Sequence, residues 1–192
     1  MFKSLSKLSV ITLILIMALS FVGCGGGGGN GDGPTTIEGY WRVKSTTEGS
    51  ETEKFPDIAD MSEEVPDFGI SGKIQAELFL GFNNNKFYEY YKYTFIDFDA
   101  VEREKLYNET GCEEGVFYEV VSDHYSISGS TVSYTDDSYS QSGTIKMTFQ
   151  IAEKNATITR EYPDGSKETI LAEKTDSSAV KGAKEKPEDP ED

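Results

Sequence analysis

The chain has 192 residues, of which 36% are hydrophobic and 27% charged, with 34 acidic side chains against 18 basic ones and a formal charge of −16. So acidic a chain offers no basic patch with which to hold nucleic acid or anionic headgroups by charge. Its two cysteines cannot build a disulfide framework, and its single histidine cannot build a histidine-based metal cluster.

Lys3 and Lys7 precede a stretch from Val10 to Val22 that is apolar apart from Thr12 and Ser20. Its length suits a signal-peptide core and falls short of the roughly 20 residues of a membrane-spanning helix. The stretch ends in Phe21-Val22-Gly23-Cys24, which resembles the bacterial lipobox, a small residue followed by an obligatory cysteine. Residues 1–23 are therefore expected to be a cleaved lipoprotein signal peptide, with Cys24 lipidated. An ordinary secretory cleavage near Gly23 is the competing reading. With Gly25 rather than Asp after the cysteine, such a protein is expected at the outer membrane of a host that has two membranes. If Cys24 carries lipid, Cys112 has no partner in the chain. Residues 24–36 then form a glycine-rich tether, which at about 5–6 Å × √n spans about 17–21 Å.

From Ile37 onward the dominant period is two. Ile37, Gly39, Trp41 and Val43 alternate with polar or large residues. Ile74, Ala76, Leu78, Leu80 and Phe82 line one face of the next strand, and Asn83-Asn84-Asn85 turns the chain into a strand over 86–95. Further strands are predicted over 116–121, 131–135, 144–151, 156–162 and 167–174, with turn chemistry at Ser128-Gly129-Ser130, Glu153-Lys154-Asn155 and Pro163-Asp164-Gly165. The count is eight strands. Closing them into an antiparallel up-and-down barrel removes exposed edges, and eight strands enclose either a filled core or one small ligand. The acidic loop 48–71 carries Phe55, Ile58, Met61 and Val65 at near-helical spacing, which predicts a short amphipathic helix ending before Pro66. A second helical turn is expected around 100–107. Residues 176–192 are Lys, Glu, Asp and Pro with little that is apolar, and are expected to form a disordered charged tail. The domain proper is thus 37–175.

Gly39-Tyr40-Trp41 at the opening of the first strand is similar to the Gly-X-Trp signature of lipocalins (calycins). Together with the lipobox, the linker and Tyr125-Ser126-Ile127-Ser128-Gly129-Ser130-Thr131-Val132-Ser133-Tyr134, the chain resembles bacterial lipocalin-like lipoproteins over about 37–174. The resemblance implies an all-β, eight-stranded lipocalin-like barrel in which Trp41 plugs the closed end and Gly39 allows close backbone approach. It also implies a late arginine packed over that tryptophan, for which Arg160 is the candidate, a solvated Arg160 being the alternative. The first loop is longer and more acidic than in minimal members of the family, and no family disulfide can form.

Catalytic constellations are poorly supported. His124 lies between strands in Ser122-Asp123-His124, with no nucleophile-elbow motif. Cys112 is followed by Glu113 and Glu114, carboxylates expected to raise its thiol pKa. The acidic loop matches no EF-hand spacing. The expectation is a protein that is not an enzyme and uses no metal and no cofactor. Phe87, Tyr91, Tyr93 and Phe95 share one face, with Tyr88 and Tyr90 on the other. The expected function is a lipid-anchored envelope protein that binds a small, largely apolar ligand in the barrel, lined by Leu78, Leu80, Tyr91, Tyr93, Met147 and Phe149. The alternative is a filled barrel that contacts another envelope protein, through its acidic loop or an outer strand face.

Overall fold

The structure, a computed structural model, describes residues 36–136 and 143–186. The signal peptide, Cys24 and all but the last residue of the tether lie outside the described residues. Within them the chain is all-β with two helices. Eight long strands carry the sheet: β1 (Gly39–Glu48), β4 (Lys73–Asn83), β5 (Lys86–Ile96), β6 (Gly115–Ser122), β8 (Thr131–Asp136), β9 (Gly143–Ala152), β10 (Asn155–Glu161) and β11 (Lys167–Thr175). Four short ones join them: β2 (Glu51–Lys54), β3 (Asp57–Asp60), β7 (Ser126–Ser128) and β12 (Lys184–Glu185). The hydrogen-bonded order is β12-β6-β5-β4-β1-β11-β10-β9-β8-β7, with β2 on β1 and β3 on β4.

This corrects the expected closed barrel of eight antiparallel strands. The sheet has twelve strands, the β12–β6 pair is parallel, and the ladder is open between its two ends. The free edge of β6 is taken by β12, while β7 ends the ladder on the far side. The first and last long strands do pair, with Trp41 opposite Lys174 and Thr46 opposite Ile170 across a register shift between Val43 and Ser45. The sheet curls so far that side chains of β5 and β10, separated by β4, β1 and β11, meet on its inner face.

The turns follow their residues. Asn84 and Asn85 both have positive φ (52° and 62°), which fits the two-residue hairpin turn between β4 and β5. That turn, the β9–β10 turn and the start of β1 lie at one end of the sheet, the turn end. The helices lie at the other, the helix end.

There the structure departs from the amphipathic helix expected in 48–71. β1 pairs with β4 only from Gly39 to Arg42, and the two strands then part. β2 pairs with the far half of β1 and β3 with the start of β4, so most of the loop is strand. Satisfying those open strand edges outweighs the three-to-four spacing of the apolar residues, and Ile58 is left exposed. The helix shrinks to α1 (Met61–Glu64), capped by Asp60, with a 3-10 turn at Pro66–Phe68. The second helix is longer than expected: α2 (Ala100–Thr110) opens on a full capping box. The Asp99 side chain accepts from the amides of Val101 and Glu102, and Glu102 accepts from that of Asp99.

Two apolar cores sit on the inner face and at the helix end. The larger gathers Trp41, Phe82, Phe87, Met147, Phe149, Ile158 and their neighbours. The smaller, of Met61, Val65, Ile70, Ile74, Phe95 and Leu106, fixes α1 and α2 over the helix end. A third cluster lies on the outer face, where Val180 packs on Phe79 and Tyr90. Residues 176–186, expected as disordered tail, instead form a 3-10 turn (Ser177–Val180) and β12; burial of Val180 supplies the ordering that composition alone did not suggest. Among the described residues no helix is long and apolar enough to cross a membrane.

Candidate functional site

The turn end of the inner face is solid. Trp41, Leu80, Phe82, Phe87 and Met147 are fully buried and Phe149 nearly so. Phe82 stacks on Phe87 with centroids 4.6 Å apart, and Phe149 meets both Trp41 (5.9 Å) and Phe82 (5.6 Å). Trp41 donates its indole N–H to the Ile37 carbonyl at 2.8 Å. The cation over its ring is Lys174, whose Nζ lies 4.4 Å from the centroid. Lys174 also donates to the carbonyls of Thr36 and Glu38. Burial lowers its pKa to about 8, against a small upward pull from Glu38. Gly39 has φ +107°, and a Cβ there would come within 3.2 Å of the Lys174 ammonium.

Arg160 therefore does not pack over Trp41, which corrects the expectation drawn from the resemblance. Register decides the matter: Lys174 stands opposite Trp41, whereas Arg160 stands opposite Glu168 on one side and Met147 on the other. Nor is Arg160 a solvated strand residue, since it is 5% exposed.

Arg160 instead anchors a charged layer midway along the inner face. Its Nη2 reaches Glu89 Oε1 at 2.8 Å, and its Nη1 lies 3.5 Å from Glu168 Oε2. Tyr91 donates its hydroxyl to Glu89 Oε2 at 2.7 Å, and Tyr162 to Glu168 at 3.3 Å. The guanidinium carbon lies 6.0 Å from the Phe87 ring, so the layer rests directly on the aromatic floor. Alternation places these groups there. Glu89 lies between Phe87 and Tyr91 on the inner face of β5, Glu119 between Phe117 and Val121 on that of β6, and Arg160 between Ile158 and Tyr162 on that of β10.

The electrostatics follow. Burial alone would lower the pKa of Arg160, but Tyr134, Tyr162, Glu89 and Glu168 outweigh it and hold the charge firmly. Burial raises Glu168, with Arg160 opposing and Glu89 adding to the rise. Burial likewise pushes Tyr162 up to about 12 and Tyr91 well above its ordinary value, the latter helped by Glu89. Glu119 is pushed up to about 7, chiefly by burial; Lys186 counteracts this and Glu89 adds to it. Its Oε2 is buried without a hydrogen-bond partner among the described residues.

The six residues expected to line a ligand site are thus split among three levels. Leu80, Met147 and Phe149 belong to the solid floor. Leu78 and Tyr91, opposite each other across β4 and β5, border the charged layer. Tyr93 packs beyond it, 6.1 Å from Phe117 and against the helix-end core. Sequence reasoning missed the charged members: Glu89, Glu119 and Glu168 each occupy an inward position of an otherwise apolar face, and that alternation was the available signal.

His124 is exposed, held in its loop by Ser122, whose hydroxyl donates to the His124 carbonyl at 2.6 Å. Cys112 is half-buried against the helix-end core, and burial, then Glu113, raises its thiol to about 11. No group of three or more His, Cys, Asp or Glu side chains is arranged to hold a metal ion among the described residues. No family model matches this chain, and no curated protein and no solved structure matches it.

Proposed function

We propose that the chain is a lipid-anchored, lipocalin-like lipoprotein of the bacterial envelope, attached through Cys24, whose strongly curled all-β sheet binds a small ligand on its inner face. The observation that carries this reading is the layer of Arg160, Glu89, Glu168, Tyr91 and Tyr162. Buried ion pairs seldom stabilise a core better than apolar side chains of similar volume. Buried charge with specific partners is a mark of a functional site. The pairing of β1 with β11 and the cation over Trp41 support a lipocalin-like curl of the sheet with a closed turn end.

The filled floor sharpens the ligand class. A largely apolar ligand would need the volume that Trp41, Phe82, Met147 and Phe149 fill. The ligand that fits is amphipathic: its apolar part lies against Leu78, Tyr93 and Phe117 toward the helix end, and its polar group meets the Arg160 layer. Binding and release of an unmodified ligand is the activity proposed, with the lipid providing attachment that so acidic a chain cannot gain by charge.

Native mass spectrometry of the mature protein purified from its own host tests this. A co-purifying small molecule, lost on Arg160→Met with the fold retained, is the expected result. A clean apo mass with a bound protein would instead favour a filled barrel that contacts another envelope protein, a reading supported by the near-complete burial of Leu80, Met147 and Phe149. The anchor is tested separately. Cys24→Ala should leave the protein soluble or unprocessed, and mature membrane-bound Cys24→Ala protein would refute lipidation.

A further inference from the structure

The outer face of β4–β6 is unusually aromatic for a surface. Tyr40 meets Tyr90 with centroids 5.8 Å apart, Tyr88 meets Tyr118 at 6.0 Å, and Phe79 is buried beneath. Tyr90 lies so close over Gly81 that a Cβ there would come within 2.7 Å of its ring. What covers this face is the chain's own 176–186. Val180 is its one deeply buried side chain, flanked by Ala179 and Ala183. The segment then turns onto the free edge of β6, where Lys184 and Glu185 pair parallel with Phe117 and Tyr118, and the Lys186 amide donates to the Tyr118 carbonyl at 2.9 Å. Lys184 adds an ion pair to Glu113 at 3.2 Å, but is 70% exposed there. The Lys186 ammonium reaches round the edge to within 5.8 Å of the Tyr91 ring on the inner face.

Cover and surface are mismatched. One β-branched anchor, a two-residue strand, an exposed ion pair, a kind that contributes little, and Lys186 at the sheet edge hold down a face rich in tyrosine and phenylalanine. Lifting the segment exposes a contiguous apolar patch together with an unpaired strand edge, the two features by which extended peptides are recognised. The mode of binding is already displayed in cis: a small β-branched side chain sits over Phe79 and Tyr90, and a lysine four residues later enters the β6 edge.

We propose that the outer face of β4–β6 and the free edge of β6 form a peptide-docking surface. The chain's own 176–186 occupies it as a displaceable strap. Once the strap lifts, the surface accepts an extended segment of a partner protein with a β-branched anchor and a lysine four residues on.

Hydrogen exchange on the intact full chain tests the strap first. The amides of Ala183 and Lys186 should exchange at least about tenfold faster than those of the β4–β5 ladder, through an opening that leaves the ladder intact. Equal rates would mean that the strap leaves only on global unfolding and would overturn the proposal. Full-chain Val180→Asp then tests docking with a fluorescent peptide of residues 176–186. The peptide should bind this variant at least tenfold more tightly than the unmodified chain, and a peptide carrying the same substitution should not bind. Equal binding to both chains, or none to a folded variant whose strap exchange shows it released, refutes the docking surface. Concentration-dependent dimerisation of the variant without peptide binding would assign the face to a second copy and overturn the partner segment. Should Val180→Asp fail to fold, the exchange comparison on the unmodified chain still decides whether the strap is displaceable.

Discussion

Arg160→Met removes the cation from the inner charged layer while nearly conserving volume. Both ends of the principal pair are 6% exposed and Glu168 is 13% exposed, so the substitution leaves two carboxylates buried without their counter-charge. Removing one partner of a buried pair costs about 3–5 kcal/mol. Methionine packing against Phe87 and Met147 recovers a part, so a loss of about 3 kcal/mol is expected. At a urea slope of about 2 kcal/mol/M, that lowers the unfolding midpoint by about 1.5 M. The loss should shrink as pH falls, because Glu168, already raised by burial, then protonates more readily in the folded state. Adding Glu89→Leu should restore part of the stability, leaving the cost of Glu168 without its counter-charge and about 1 kcal/mol for the Tyr91 hydroxyl that has lost its acceptor. Equilibrium urea unfolding of the two single variants and the double gives the coupling directly. If Arg160→Met costs under about 1 kcal/mol, or the double variant costs the sum of the singles, the layer is not a buried, mutually dependent network.

Glu119, with a folded pKa near 7 against an ordinary 4.5, binds more protons in the folded state than unfolded across that window. Stability should therefore fall as pH rises from 4.5 through 7, by about 1–2 kcal/mol once solvent screening of this partly exposed carboxylate is allowed for. Urea midpoints across this range should show a difference curve against Glu119→Gln, and parallel curves would refute the assignment. Lys174, lowered to about 8, binds fewer protons when folded, so its contribution rises with pH between about 8 and 10.5. Fluorescence of Trp41, the only tryptophan, should titrate near pH 8, and Lys174→Met should abolish the step. Gly72→Ala would place a Cβ 2.2 Å from the Phe98 ring, itself stacked on Phe95 at 4.7 Å. The substitution should cost about 1–3 kcal/mol in thermal or urea unfolding, and a neutral result would mean that the ring moves aside freely. Cys112 should react slowly with Ellman's reagent below pH 9, and rapid labelling would contradict its burial.

The eight long strands were legible because a period of two survives in each, with Asn, Gly and Pro marking the turns between them. What escaped were the pieces whose structure is imposed by neighbours. β2 and β3 exist because β1 and β4 part after Arg42 and leave two edges to satisfy, and nothing within 51–60 announces that parting. β12 exists because β6 has a free edge and because Val180 finds Phe79 and Tyr90, far away in sequence. Its own composition reads as tail. The helix over 100–110 was underestimated for the opposite reason: its apolar stripe is weak, while the Asp99–Glu102 capping box that starts it is local and was readable.

The partner of Trp41 shows how far a family pattern carries without register. The resemblance implies a late arginine over the first-strand tryptophan, with Arg160 the candidate, but Lys174 too lies on the inward face of a late strand. Choosing between them requires knowing that β11, not β10, closes against β1. Pairing the first and last long strands of the sheet brings Lys174 opposite Trp41 and leaves β10 one strand removed. Arg160, freed from that duty, needs a different counterpart, and the inward faces of β5 and β11 offer Glu89 and Glu168. The same register thus assigns two cations two tasks. Lys174 closes the apolar floor by donating to main-chain carbonyls, which demand no second charge. Arg160, the more buried, requires carboxylates brought from strands on both sides of the inner face, and a polar layer above the floor follows from placing it there.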